Sequence, residues 1–320
     1  HKGLNQREGP LGMKKYDAIV IGGGPAGVTA TLYLLRAGVA VAWVEKMTPG
    51  GQILLTDWID NYPGFPDGAR GYELADTFAK HLEGFTFDKY TDEVREFQPA
   101  RGKNRLLIGD EWVECKTLII CSGAIHKNLD VPGEDEFAGH GVSYCAICDG
   151  QFFRDRVVGC VGGGDSALEE AKYLSKLASK VYLIHRRDSF RAAKVNQMKV
   201  LDQPKIEILY DTVVEAVKGE SEMTGLQLAN TKTGESFFLE MEGVFIYVGI
   251  RPQDSFFPSD LELDEGGFVK TDTEMRTNLS GIFAAGDIRS KRCRQVTTAV
   301  GDGATAAYSA GLFLDELENE

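Results

Sequence analysis

Ala18-Ile19-Val20-Ile21-Gly22-Gly23-Gly24-Pro25-Ala26-Gly27 joins an apolar run to glycines at the first, third and sixth places of a turn. Gly22 permits the tight turn, Gly24 lets backbone approach a pyrophosphate, and Gly27 lets the following helix pack close to the strand. Residues 26–37, apolar and ended by Gly38, read as that helix, and residues 39–44 as the next strand. With Pro25 and Ala26 the turn opens a helix whose free N–H groups and positive end face phosphates. Glu45 closes the second strand 18 residues after Gly27, where its carboxylate can accept hydrogen bonds from the ribose of FAD or NAD. A lone Gly-rich turn beside a surface Glu would carry little, but strand, turn, helix, strand and acid in register point to a nucleotide.

The pattern recurs 140 residues later: Gly162-Gly163-Gly164-Asp165-Ser166-Ala167 follows Val157-Val158-Gly159-Cys160-Val161, and its second strand stops at His185. Here Arg186 and Arg187 follow directly, then Arg191. An acid at this place would repel a 2′-phosphate, whereas guanidiniums bind one by charge-assisted bonds, so the second site is expected to prefer NADPH. The alternative is a solvated basic turn. Two related units follow, the second inserted in the first: an α/β fold of two Rossmann-like dinucleotide-binding domains. The FAD domain is expected over residues 13–125 and 253–320 and the NADPH domain over 126–252. Other expected elements are helices over 71–82, 166–178 and 296–317 and strands over 117–121, 226–230, 237–241, 244–248 and 282–285. The last of these ends in Gly286-Asp287.

Composition narrows the classes. A chain of 320 residues can hold two modest cores, and 43% hydrophobic residues with 37 glycines suit a Gly-rich α/β protein. No apolar run reaches membrane-helix length. A net charge of −13 argues against nucleic acid or an anionic membrane as main partner. Six cysteines fit a reducing compartment with one redox pair, and a cytoplasmic setting is expected. No secretory signal is seen; residues 1–12 read as a remnant of expression before Met13.

Cys145-Ala146-Ile147-Cys148-Asp149 follows a Gly-rich loop. Cysteines three apart can close a small disulfide, and a helix start would lower a thiol pKa. Structural zinc is the rival, but it needs four ligands. Cys115, Cys121, Cys160 and Cys293 are scattered singly and the five histidines do not cluster, so no metal is expected. Cys115, Cys121 and Cys160 read as structural.

In sum of motifs the chain resembles the low-molecular-weight thioredoxin reductases from about Lys15 to its C-terminus. The resemblance is carried by residues 22–27, Gly50-Gly51-Gln52, Asn61-Tyr62-Pro63-Gly64, residues 145–150, 185–192, 283–287 and Arg294-Gln295. It implies FAD on Glu45, Gly51, Gln52, Asn61, Asp287, Arg294 and Gln295, with Lys46, Val94, Gly286 and Val296 among the cofactor contacts. It implies the NADPH 2′-phosphate on His185, Arg186, Arg187 and Arg191, with Gly162, Gly164, Asp165 and Ser166 at the second turn. Cys148 would face the flavin, Cys145 would attack the partner disulfide, and Asp149 would be the general acid/base. The partner would be thioredoxin or a thioredoxin-like protein, the assembly a homodimer, and the inserted domain would rotate about linkers near 124–130 and 250–254. Two departures stand out: Ile147 replaces the family's usual Thr, and Cys293 stands where an aromatic residue is common. Of the rivals, peroxiredoxin-linked reductases carry an additional N-terminal thioredoxin-like module, which is not seen before Met13. Ferredoxin-type reductases lack the dithiol, and a non-catalytic redox sensor would need no Asp149.

Overall fold

The structure is a computed structural model and describes residues 7–8, 13–55, 58–253 and 255–320. The segment read as a remnant lies outside the described residues except for Arg7–Glu8, which pair antiparallel with Lys14 and Lys15. The chain divides into two compact units, residues 1–125 with 251–320, and residues 126–250.

The first unit is built on an eight-stranded sheet. Five of its strands run parallel, in the order Asp88–Tyr90, Val41–Val44, Lys14–Ile21, Glu111–Ile120 and Ile282–Ala284. Alternation along Lys14–Ile21 sends Ala18 and Val20 to one face and Ile19 and Ile21 to the other. Both faces are covered, as parallel strands require. Each wholly buried aliphatic side chain there contributes about 1.5–3 kcal/mol. Helices Pro25–Arg36 and Val296–Glu318 cover the first face. Their backbones touch: a Cβ on Gly303 would fall 2.2 Å from the Ala26 carbonyl oxygen. The small residues of the long C-terminal helix thus serve close approach.

Glu111–Ile120 starts six residues before the expected strand at 117. Its first half pairs antiparallel with Asn104–Ile108, which pairs with Val94–Gln98, while Glu114 and Cys115 also pair parallel with Lys15 and Tyr16. In that half the buried Val113 and Cys115 are set between partly exposed residues. It therefore lacks the unbroken apolar run that marks the second half.

The second unit holds a five-stranded parallel sheet in the order Val142–Ser143, Gly243–Tyr247, Val157–Gly162, Lys180–Ile184, Ile206–Leu209. Helix Asp165–Leu174 packs on one face through Leu168, Ala171 and Leu174. It ends four residues before the expected 178, residues 175–177 forming a turn. The antiparallel strands Thr212–Gly219, Met223–Asn230 and Ser236–Glu240 contribute to a second core cluster. The two crossings between units pair as Ala124–His126 with Ile250–Pro252. Gly123 and Gly249, beside them, hold φ of 73° and 122°. No helix among the described residues is long and apolar enough to cross a membrane.

Candidate functional site

In the first unit the three motif glycines have distinct surroundings. Gly22 takes φ 107°, and a Cβ there would lie 2.2 Å from the Cys121 carbonyl oxygen. A Cβ on Gly27 would lie 1.9 Å from the Gly22 oxygen. Gly24 is different: its Cβ would meet nothing nearer than Gly50 and Gly51 at 4.0 Å. Gly22 and Gly27 are thus demanded by the fold, and Gly24 fronts open space at the helix start. The Trp43 indole donates to the Gly22 oxygen at 2.9 Å, and Gly50 N–H donates to the Gly23 oxygen at 2.8 Å.

Glu45 is bound by its neighbours. Its Oε2 accepts the Gly23 N–H at 2.6 Å and its Oε1 the Met47 N–H at 2.8 Å. Lone pairs on both oxygens remain for a ribose. Gly50, Gly51 and Gln52 lead into the short turn Gly51–Leu55. Lys46 is exposed, and Val94 is buried at the start of its strand. Asn61 and Gln295, 234 residues apart, meet through Asn61 Nδ2 donating to Gln295 Oε1 at 3.2 Å. Gln295 and Val296 begin the C-terminal helix, where Gln295 N–H donates to Thr298 Oγ1.

Asp287, after Gly286, has a buried Oδ1 with no hydrogen-bond partner among the described residues, the Lys291 ammonium lying 3.6 Å from it. Burial pushes its carboxyl up, opposed by Lys291 and Arg294. A buried acceptor with an unmet bond calls for a donor. With open space at Gly24, these features fit a dinucleotide. Arg294 lies over Phe268 at 4.2 Å and donates to the carbonyls of Asp287, Arg289 and Lys291. It staples the loop in which Asp287 sits. Cys293 is exposed.

An ion cluster illegible in the sequence supports this loop. Asp302 binds Arg289 at 2.8 Å, Lys291 at 2.9 Å and the Gly286 N–H at 3.1 Å. Asp302 lies inside a helix, far along the chain from the loop, so no local pattern marks it.

The second turn repeats the plan. A Cβ on Gly162 would meet Ala167 and the Tyr247 carbonyl oxygen at 2.6 Å, while one on Gly164 meets nothing within 4 Å. Asp165 Oδ1 accepts from Ala193 N–H and Asn196, fixing the helix start, and Ser166 is exposed. His185 follows strand Lys180–Ile184 directly. Its ring is buried beneath Gly163, faces Phe190, and bonds the Ser189 carbonyl through Nε2 at 2.9 Å. It is a floor for the turn, because the strand that carries it ends facing inward. Arg186, Arg187 and Arg191 are exposed, and no carboxylate among the described residues pairs with them.

Cys145 and Cys148 are joined in a disulfide with Cα atoms 5.3 Å apart. Cys145 caps the one-turn helix Ala146–Asp149 and Cys148 lies within it, and both are half-buried. The Asp149 carboxylate accepts the Ser143 hydroxyl at 2.5 Å, and Ser143 Oγ accepts the Cys145 N–H at 3.1 Å. The Cys148 N–H points to Cys145 Sγ at 3.2 Å. Just upstream, Tyr144 stacks on His126 and donates to Glu134, a buried carboxylate that also accepts the N–H groups of Leu129 and Asp130. Cys115, Cys121 and Cys160 are buried, and burial pushes each thiol far up. No cluster of three or more His, Cys, Asp or Glu among the described residues could hold a metal ion.

Such an arrangement can exchange a disulfide with a thiol and, with bound nucleotides, carry electrons to it. A family model, pyridine nucleotide-disulphide oxidoreductase, matches residues 16–303. The chain is 41% identical over 306 residues to the thioredoxin reductase of Listeria monocytogenes serovar 1/2a, covering 95% of this chain and 96% of that one. It is also 41% identical over 304 residues to that of Treponema pallidum, at 95% and 99% coverage. The crystal structure of thioredoxin reductase from Streptococcus pyogenes matches with a TM-score of 0.90 and 43% identity over 94% of this chain and 99% of that chain.

Proposed function

The chain belongs to the pyridine nucleotide-disulphide oxidoreductase family, and we propose that within it the protein is an NADPH-dependent thioredoxin-disulfide reductase. The observation that carries this is the Cys145–Cys148 disulfide beside Asp149, in the same unit as a nucleotide turn followed by exposed arginines.

FAD would be held in the unit of residues 1–125 with 251–320. Gly24 backs its pyrophosphate, Glu45 its ribose, and Asp287 Oδ1 takes a hydroxyl donor. Lys46, Gly51, Gln52, Asn61, Val94, Arg294, Gln295 and Val296 complete the expected contacts. NADPH would lie at Gly164 in the other unit, with its 2′-phosphate on Arg186, Arg187 and Arg191. Bound FAD supplies the acceptance of hydride from NADPH and the transfer of an electron pair to sulfur.

The chain's own residues then do thiol chemistry. The Cys145 thiolate attacks a thioredoxin disulfide, forming a mixed disulfide and releasing one thioredoxin sulfur as thiolate. Cys148 attacks Cys145 Sγ, which re-forms the internal disulfide and releases reduced thioredoxin. Asp149, oriented by the Ser143 hydroxyl, takes and returns the proton that each thiol must lose or gain. The protein works as a cytoplasmic homodimer in this reading, and its inserted unit reorients so that nicotinamide and dithiol use the flavin in turn.

The purified protein should be yellow, and anaerobic NADPH should bleach its flavin absorbance. Steady-state NADPH oxidation should then require thioredoxin disulfide. A colourless protein that cannot be reconstituted with FAD would end this reading; flavin reduction without thioredoxin turnover would leave a redox sensor.

A further inference from the structure

In the loop after strand Ile282–Ala284, an ammonium stands beside a carboxylate oxygen without bonding it. Asp287 Oδ1 is buried and accepts no hydrogen bond among the described residues, yet Lys291 Nζ lies 3.6 Å away. That distance is an ion pair but too long for a hydrogen bond. Lys291 Nζ bonds to Asp302 Oδ2 at 2.9 Å and to Thr298 Oγ1 at 3.2 Å. Both partners sit on helix Val296–Glu318, in its first two turns.

Asp302 is itself anchored. Its Oδ1 accepts Arg289 Nη1 at 2.8 Å, and its Oδ2 also accepts the Gly286 N–H at 3.1 Å. Arg289 Nε donates in turn to Thr271 Oγ1 at 2.7 Å. The side chains of Arg289, Lys291 and Asp302 are each 13% exposed, so water screens their attraction little. The other cation near Asp287 is held off as well: Arg294 donates to the carbonyls of Asp287, Arg289 and Lys291.

A mostly buried ammonium that loses its partner is costly and turns to the next anion. Among the described residues only Asp287 and Asp302 offer Lys291 a carboxylate within ion-pair distance. Without Asp302, Lys291 would close on Asp287 and fill the lone pairs of Oδ1 that a ligand hydroxyl needs. We propose that Asp302 is a positioning residue for the cofactor site: it holds Lys291 back, so that Asp287 Oδ1 stays free to accept a hydroxyl of bound FAD. This rests on the FAD reading given above. Asp302 acts through Lys291 and Asp287, from a helix that joins the loop only in the folded unit.

The test follows FAD leaving the full-length yellow protein, read as the rise of free-flavin fluorescence after dilution. Circular dichroism of the same samples shows whether the fold is intact. Asp302→Asn keeps an acceptor for Gly286 and Arg289 and removes the charge that binds Lys291. It should release FAD on the order of tenfold faster, the worth of one hydrogen bond to a charged group. Lys291→Gln alone should release FAD no faster than the wild type. With both substitutions no ammonium remains to close on Asp287, and release should return to within about twofold of Lys291→Gln. Weakened support of Arg289 or Gly286 would persist in the double variant, so the rescue separates positioning from mere structure. Wild-type release from Asp302→Asn, a double variant as fast as Asp302→Asn, or faster release from Lys291→Gln alone overturns the proposal. If Asp302→Asn does not fold, the charge-balanced double variant is compared with Lys291→Gln: equal release supports the proposal and faster release overturns it. FAD held by the wild type and released alike by every variant sinks the proposal and leaves the proposed function standing. A wild type that holds no flavin and takes up none sinks both.

Discussion

At the scale of single residues, both turns share one device. The residue closing the second strand packs under the middle glycine: a Cβ on Gly23 would lie 2.7 Å from the Glu45 carboxylate, and one on Gly163 2.1 Å from the His185 ring. Glycine at these places is required by the partner beneath, and the arginines after His185 are exposed, where the proposed function sets the 2′-phosphate. Each charge-assisted contact is worth about 1.5–3 kcal/mol. Replacing Arg186 and Arg187 together by Ala should therefore lower kcat/KM for NADPH by on the order of a hundredfold or more and leave NADH use nearly unchanged. Equal losses with both nucleotides would contradict the assignment. Cys148→Ser should leave NADPH bleaching of the flavin intact, abolish turnover, and trap thioredoxin on Cys145 as a mixed disulfide visible on a non-reducing gel. Trapping by Cys145→Ser in its place would reverse the two roles. Glu170 adds a stability effect. Burial, then the charge of Glu169, raises its folded carboxyl to about 7, so the folded state keeps a proton that the unfolded chain releases. Stability falls as pH rises through that interval. Glu170→Gln should then raise the thermal midpoint above neutral pH and change it little at pH values below the usual carboxylate range. A midpoint shift of the same size at both pH values would refute the titration.

At the scale of elements, the closest approach is between helices Pro25–Arg36 and Val296–Glu318. Gly303→Ala would drive a methyl against the Ala26 carbonyl at the foot of the first turn. Overpacking of this kind costs about 1–3 kcal/mol. It should appear as a lower melting temperature and earlier loss of flavin on heating; a variant with wild-type melting would show that the helices can part freely. The βαβ units and the glycines that shape them were legible because strand, turn and helix signals lie within about thirty residues. Helix Lys194–Leu201 was not. Its apolar Val195, Met198 and Leu201 face solvent, so no inward stripe marks it. Tyr247, whose hydroxyl accepts the Ala146 N–H, fell within the expected strand 244–248 and Asp302 within the expected helix 296–317, with no role for either. Their partners lie 101 and up to 16 residues away, and sequence periodicity carries no signal across such gaps. The place of His185 at the end of the second strand was legible, while the burial of its ring beneath Gly163 was not.

At the scale of the whole molecule, the two crossings carry Gly123 and Gly249 with positive φ. A side chain at either is strained in that backbone conformation. If the inserted unit must reorient in each cycle, the double substitution Gly123→Ala with Gly249→Ala should reduce steady-state kcat more than it slows single-turnover flavin reduction by NADPH. Equal effects on both rates would argue against reorientation as the affected step. The depth of the remaining cysteines has a consequence for how such a protein survives its own trade. A catalyst that makes and breaks disulfides risks scrambling its own sulfurs. Here Cys115, Cys121 and Cys160 are buried, with thiols held far above the range where they ionise. After reduction, a native-state reagent should thus count three sulfurs, Cys145, Cys148 and Cys293, and the unfolded chain six. The same barrier that hides three thiols from a chemist hides them from every substrate, so fidelity in this molecule is a matter of depth as much as of recognition.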